Sequence, residues 1–230
     1  MQNWFNLHVQ NITVLGWGGD TGFGTALWET LYMTLGSALI GGILGLAFGL
    51  SLVLTAPKGL NPHPRLFKLL DLLVSIGRAI PFIIMVVVIS PLTQLITHTT
   101  IGPTAALIPL AFGIFPFFAR QVQVVLLSID SGKIEAANSY GATHFDIIWD
   151  VYLREGRAEL IRISTVSLIS LVGLTAMAGV IGAGGLGTTA IVTGYQRFQT
   201  DVMWLATLML LTLILIIQFI GDWLAKHLQH

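Results

Sequence analysis

The residues of this chain that could do chemistry crowd into one polar island. From Ser131 to Arg162 the sequence sets Lys133, Arg154, Arg157 and Arg162 beside Glu135, Asp146, Asp150, Glu155 and Glu159, between two strongly apolar stretches. Charges at this density must face water, which suits them to recognising a water-soluble partner. They do not form a catalytic set. Neither H-E-x-x-H nor G-x-S-x-G occurs, and there is no G-x-x-x-x-G-K-[ST] loop through which the chain could bind ATP. His8, His63, His98, His144, His227 and His230 are scattered, and cysteine is absent, so neither a clustered metal site nor thiolate chemistry is expected. Gly182, Gly184 and Gly187 satisfy G-x-G-x-x-G, but a dinucleotide site needs a strand before that run and a helix after it. Here the run ends an apolar segment, so a close-packed turn at an external gate is expected.

The elements that must position the island are membrane helices. The chain is 54% hydrophobic and 10% charged with zero formal net charge, well outside soluble composition. Five stretches reach the roughly 20 apolar residues that a bilayer crossing needs: Ala26–Thr55, Ile76–Ile96, Thr104–Leu127, Leu160–Ile181 and Val202–Leu224. They are apolar on every face, unlike the alternating strands of a barrel. The expected fold is therefore all-α and polytopic with five transmembrane helices. Lys and Arg favour the cytoplasmic side, and all but Arg197 fall there if the N-terminus is outside and the C-terminus inside. No basic tail suggests nucleic acid. No Lys or Arg precedes Lys58, so the start of a cleavable signal is missing and the first span itself should direct insertion. Residues 1–25 read as an external, loosely held tail touching the interface through Trp4, Phe5 and Trp17, and 26–230 as the membrane domain.

Within the spans, Ser37, Gly41, Gly45 and Gly49 form a small-residue ridge, either a seam with another chain or ordinary packing within this one. Leu66 to Leu73 has the mixed character of an interfacial helix, with Gly77 separating it from the next span. Arg78 is expected to reach lipid headgroups or cap a neighbouring helix, with a direct role in substrate binding as the lesser alternative. Pro91, Pro109 and Pro116 lie inside spans, where bends are expected.

Local rules shape the island. Ile134 to Tyr140 suits a short helix that Gly141 stops in the left-handed conformation. Thr143 can cap a second helix with Asp146 completing the box, and Phe145, Ile148, Trp149 and Tyr152 would give that helix an apolar face. A two-helix loop over about 131–159 could transmit a push to the spans, or be an inert solvated loop. The fourth span is rich in Ser, Thr and Gly. Ser170, Gly173, Thr175 and Met177 are candidates for lining a path or gate, with Met177 either closing a conduit or filling the core.

The run Glu135-Ala136-Ala137 with Gly141-Ala142 resembles the EAA loop of permease subunits of bacterial ABC importers. The stretches Gly77–Ile84, Leu171–Gly179, Gly182–Gly187 and Gln218–Asp222 extend the similarity to the methionine-uptake branch of that family. This resemblance implies that Glu135, Ala136, Ala137, Gly141 and Ala142 engage a separate ATPase, present in two copies, that binds ATP and Mg. It also implies a homodimer in the bacterial inner membrane, a substrate-binding lipoprotein or periplasmic protein, and methionine or another small amino acid as cargo, with no cofactor and no catalysis in this chain. The family's proline near the end of the second loop helix is replaced by Arg154. A stand-alone channel or ion-coupled carrier would instead favour charges inside the spans, of which few are seen. A membrane enzyme would need a convergent nucleophile, base or metal cluster, and none is found.

Overall fold

A computed structural model describes residues 10–228, and these show helices and no strand. In chain order the helices are α1 (Gln10–Leu15), α2 (Phe23–Thr55), α3 (Pro64–Ala79), α4 (Phe82–Thr97), α5 (Pro103–Leu127), α6 (Ser131–Ser139), α7 (His144–Asp146), α8 (Arg154–Val180), α9 (Gly185–Thr188) and α10 (Thr200–His227). Wide-turned π segments follow α7 (Ile147–Leu153) and α9 (Thr189–Tyr195). Among the described residues, four helical stretches are long and apolar enough to cross a bilayer: α2, α5, the continuous stretch His144–Val180 and α10. A fifth crossing exists if α3 and α4, bent by 113° at their junction, count as one broken span.

That break corrects the expected span Ile76–Ile96. Pro81 has no amide hydrogen and forces the preceding residue out of the helical region. Ile80 is accordingly extended (φ −79°, ψ 122°), and the second helix starts at Phe82. Gly77 does not mark the division. It lies inside α3, where a Cβ would come 2.6 Å from the Pro116 side chain, so its role is close approach to α5. Pro91, Pro109 and Pro116 sit inside helices that continue through them.

The small-residue ridge of α2 is spent within the chain. A Cβ on Gly41 would meet the Ala111 carbonyl oxygen at 2.8 Å, one on Gly45 the Phe115 oxygen at 2.9 Å, and one on Gly49 the Ala119 oxygen at 2.6 Å. Ser37 donates to the Leu107 carbonyl. Packing of α2 on α5 thus relies on small residues letting backbones touch, while Leu35, Leu39 and Ile43 of α2 and Leu208, Leu211, Leu215 and Phe219 of α10 face outward.

The start of the described chain is held rather than loose. The Asp201 carboxylate at the head of α10 accepts from the Asn11 amide (3.1 Å), the Asn11 side chain (3.0 Å) and the Ile12 amide (3.2 Å). The expected interfacial anchors Trp4 and Phe5, and also His8 and His230, lie outside the described residues.

Beyond α8 the chain doubles back sharply. Gly182, Gly184 and Gly185 all have positive φ, and α9 then lies against α8 so closely that a Cβ on Gly187 would stand 2.4 Å from Ala176 Cα. The glycine run is a packing hairpin, preceded by a helix and not by a strand. Its far side is clipped to α2. Glu29 Oε2 accepts from the Gly185 amide at 2.6 Å, and Thr30 Oγ1 accepts from the Leu186 amide at 2.9 Å.

Candidate functional site

The island folds into the two helices expected of it. Asp130 caps the first by accepting from the Gly132 amide at 2.8 Å. Gly141 ends it at φ +81°, with the Tyr140 amide donating to Ala136 and the Ala142 amide to Ala137. Thr143 and Asp146 form a full capping box: the Thr143 amide and hydroxyl donate to Asp146 Oδ2 at 2.8 and 2.6 Å, and the Asp146 amide donates back to Thr143 Oγ1 at 3.3 Å. The bonds from the Thr143 hydroxyl and then its amide hold the Asp146 carboxyl below its ordinary value.

One side of the loop is anchored and the other is free. Ile134, Ala137, Ala142, Ile148 and Val151 pack on a cluster formed by Ile147 and Tyr152 with Val53 of α2 and Phe118, Val122 and Leu126 of α5. Lys133 Nζ lies 2.5 Å from Glu155 Oε2, tying the first loop helix to the start of α8. Glu135, Ala136 and Gly141 are exposed, and the Glu135 carboxylate has no partner among the described residues. The 37 residues of His144–Val180 measure about 55 Å at ~1.5 Å per residue, against a hydrocarbon core of ~30 Å. The stretch is thus longer than a crossing requires, and the second loop helix runs into α8 without a break.

The apolar face expected of the second helix is rotated. Ile147 and Tyr152 are buried, whereas Phe145 (68% exposed) and Trp149 (61%) stack on each other with centroids 6.1 Å apart at the surface. The π segment Ile147–Leu153 widens the turn, so a 3.6-residue count misplaces the inward positions. Tyr140 is 92% exposed. Tyr140, Phe145 and Trp149 thus form an exposed aromatic surface that periodicity missed; the signal was three aromatics inside a charged loop. Arg154, in place of a proline, lets the helix run on: its backbone is helical and its amide donates to the Val151 carbonyl.

The candidate path residues divide. Val166, Gly173, Met177 (42% exposed) and Val180 lie on one open face of α8, with Ser170 half-buried between them, at the i, i+3, i+4 spacing of one helix side. Thr175 is 1% exposed and donates to Val172 in the opposite, buried face, so it is not brought together with the other three. The open face carries Ser, Gly and Met where α2 and α10 show bulky aliphatic side chains. No group of three or more His, Asp or Glu that could hold a metal occurs among the described residues.

The profile of the family described as binding-protein-dependent transport system inner membrane component matches residues 41–230. The chain is 42% identical to "Probable D-methionine transport system permease protein MetI" of Vibrio cholerae, over 90% of this chain and 92% of that protein. It is 43% identical to the methionine import system permease protein MetP of Bacillus subtilis, over 86% and 89%. Among solved structures, an inward-facing conformation of the MetNI methionine ABC transporter superposes with a TM-score of 0.87 at 37% identity, covering 96% of this chain and 98% of the matched one.

Proposed function

The chain belongs to the family of binding-protein-dependent transport system inner membrane components, and from that premise we propose that it forms the solute path of an ATP-driven importer for methionine. It is a multi-pass inner-membrane protein and a transport subunit rather than an enzyme. In this reading two copies enclose one path, and two copies of a separate ATPase, which bind ATP and Mg, dock on the loops at the charged end. The excess of Lys and Arg supports a cytoplasmic position for that end and an external N-terminus. A binding lipoprotein or periplasmic protein delivers the amino acid from outside. The cargo is supported by the relatives, which are named as methionine transport permeases.

The observation that carries the reading is the two-sided loop. Glu135, Ala136 and Gly141 are open to a partner while Ile134, Ala137 and Ala142 rest on a core shared with α2 and α5. A push on the open side has no slack to take up, because packed interiors transmit displacement. The second loop helix is continuous with α8, so the displacement reaches the face bearing Ser170, Gly173 and Met177, with Met177 as the constriction. Reconstitution tests this. Proteoliposomes holding the chain, its ATPase and its binding protein should take up labelled methionine only with ATP. ATP-independent flux through the chain alone would make it a channel or carrier.

A further inference from the structure

The break between α3 and α4 packs beside the middle of α5 and leaves one charge without a partner among the described residues. Gly77 lies against Pro116, near the middle of the 25-residue helix α5, so Arg78 starts beside the middle of a helix long enough to cross the ~30 Å hydrocarbon core. Arg78 is exposed on the single chain and makes no ion pair or hydrogen bond to any described residue. Its neighbour Arg120 is fully engaged, donating to Asp71 at 2.7 Å, Gln123 at 2.6 Å and Ser75 at 3.2 Å. A basic side chain left unpaired along a broken membrane helix marks a solute or ion pathway by default.

A cavity of about 330 Å³ opens beside Arg78, bounded by Phe82, Met85, Phe117, Leu174 and Ser170. No acidic residue lines it, and the N-terminus of α4, a 16-residue helix, borders it at Phe82. Guanidinium and helix N-terminus both favour an anion, and the remaining wall is apolar. The volume lies at the low end of the roughly 300–1,000 Å³ of ligand pockets, which restricts the occupant to a small solute. Ser170 belongs both to this cavity and to the open face of α8, so the cavity communicates with the proposed path. Broken helices meeting at mid-membrane are where transporters of other architectures place their substrates.

We propose that this cavity is a substrate subsite in which Arg78 holds the carboxylate of a small amino acid while Phe82, Met85, Phe117 and Leu174 receive its apolar side chain. The proposal rests on the importer reading above and adds to it the solute group that is recognised. The test uses the complete transporter in liposomes, comparing uptake of methionine with that of methioninol, in which the carboxylate is reduced to an alcohol. The wild type should favour methionine by about tenfold or more, the size of one charge-assisted contact. Arg78→Gln, purified as the assembled complex, should lose that preference by losing methionine uptake, and Arg78→Lys should keep part of it. Unchanged preference in Arg78→Gln overturns the subsite and leaves the importer reading standing. So does loss of bound anionic lipid in Arg78→Gln, seen by native mass spectrometry, with the preference intact. Absence of ATP-driven uptake by the wild type overturns both.

Discussion

The Glu29 carboxylate accepts a hydrogen bond from the amide of Gly185, 156 residues further on, at 2.6 Å. With Thr30 taking the Leu186 amide, it satisfies the first donors of α9, which otherwise have no intrahelical acceptor, and fastens the hairpin to α2. Glu29→Ala removes that acceptor. It should destabilise the folded chain by about 1–3 kcal/mol, seen as a lower Tm in detergent, whereas Glu29→Gln, which retains an acceptor oxygen, should lose less.

Glycine at 187 is required by space. A Cβ there would press on the Ala176 Cα and carbonyl, backbone atoms with no room to yield. Gly187→Ala should therefore lower the yield of folded protein at a cost of about 1–3 kcal/mol. Gly42→Ala is the control: nothing lies within 4 Å of that Cβ, and the change should be neutral within about 0.5 kcal/mol.

At Gly141 the requirement is conformational, since φ is +81° and the Cβ position is open. Gly141→Ala should strain the turn by about 1–2 kcal/mol and reduce ATP-coupled uptake. Gly141→Pro, with φ locked near −65°, should abolish it, and Gly141→Asn, which tolerates the left-handed region, should stay closest to the wild type. Equal uptake by all three would remove the turn from the coupling route.

The Thr143 and Asp146 box sets a pH response with a definite sign. A carboxyl held below its unfolded value, about 3.9, contributes stability that is complete above that value and is lost as pH falls through the lower folded one. Coupled uptake should thus show no pH dependence from Asp146 near neutrality, where its contribution is complete. Thr143→Val should move the Asp146 carboxyl upward toward its ordinary value, read from its side-chain ¹³C resonance and assigned with Asp146→Asn. A resonance that titrates identically in both proteins would mean that Thr143 does not hold it.

Features governed by neighbours in sequence were legible: Gly141, Thr143 and Asp146 obey rules spanning four residues, and the structure follows them. Features governed by distant neighbours were not. The apolar run through Ile76–Ile96 hides its own break because hydropathy is continuous across Pro81. Thr175 looked like its hydroxyl-bearing neighbours, yet only packing decides which face of α8 is inward. The π segment after Asp146 turns Ile147 and Tyr152 inward and leaves Trp149 outward, and no fixed period anticipates a widened turn. Glu29 passed unnoticed as a single acid near a span's start; a lone carboxylate within an apolar helix, together with the distant pair Gly184-Gly185, was the signal available.

Glu135 provides the most direct test of the docking loop. Its side chain is exposed and touches no described partner, so Glu135→Lys should leave helical content and Tm unchanged. The measurement is the affinity of the purified ATPase subunit for the permease in nanodiscs, taken alongside ATP-coupled uptake. The account predicts binding weakened by about tenfold or more, as for a reversed charge at a partner contact, with uptake lost in proportion. Wild-type affinity and wild-type uptake in Glu135→Lys would contradict it.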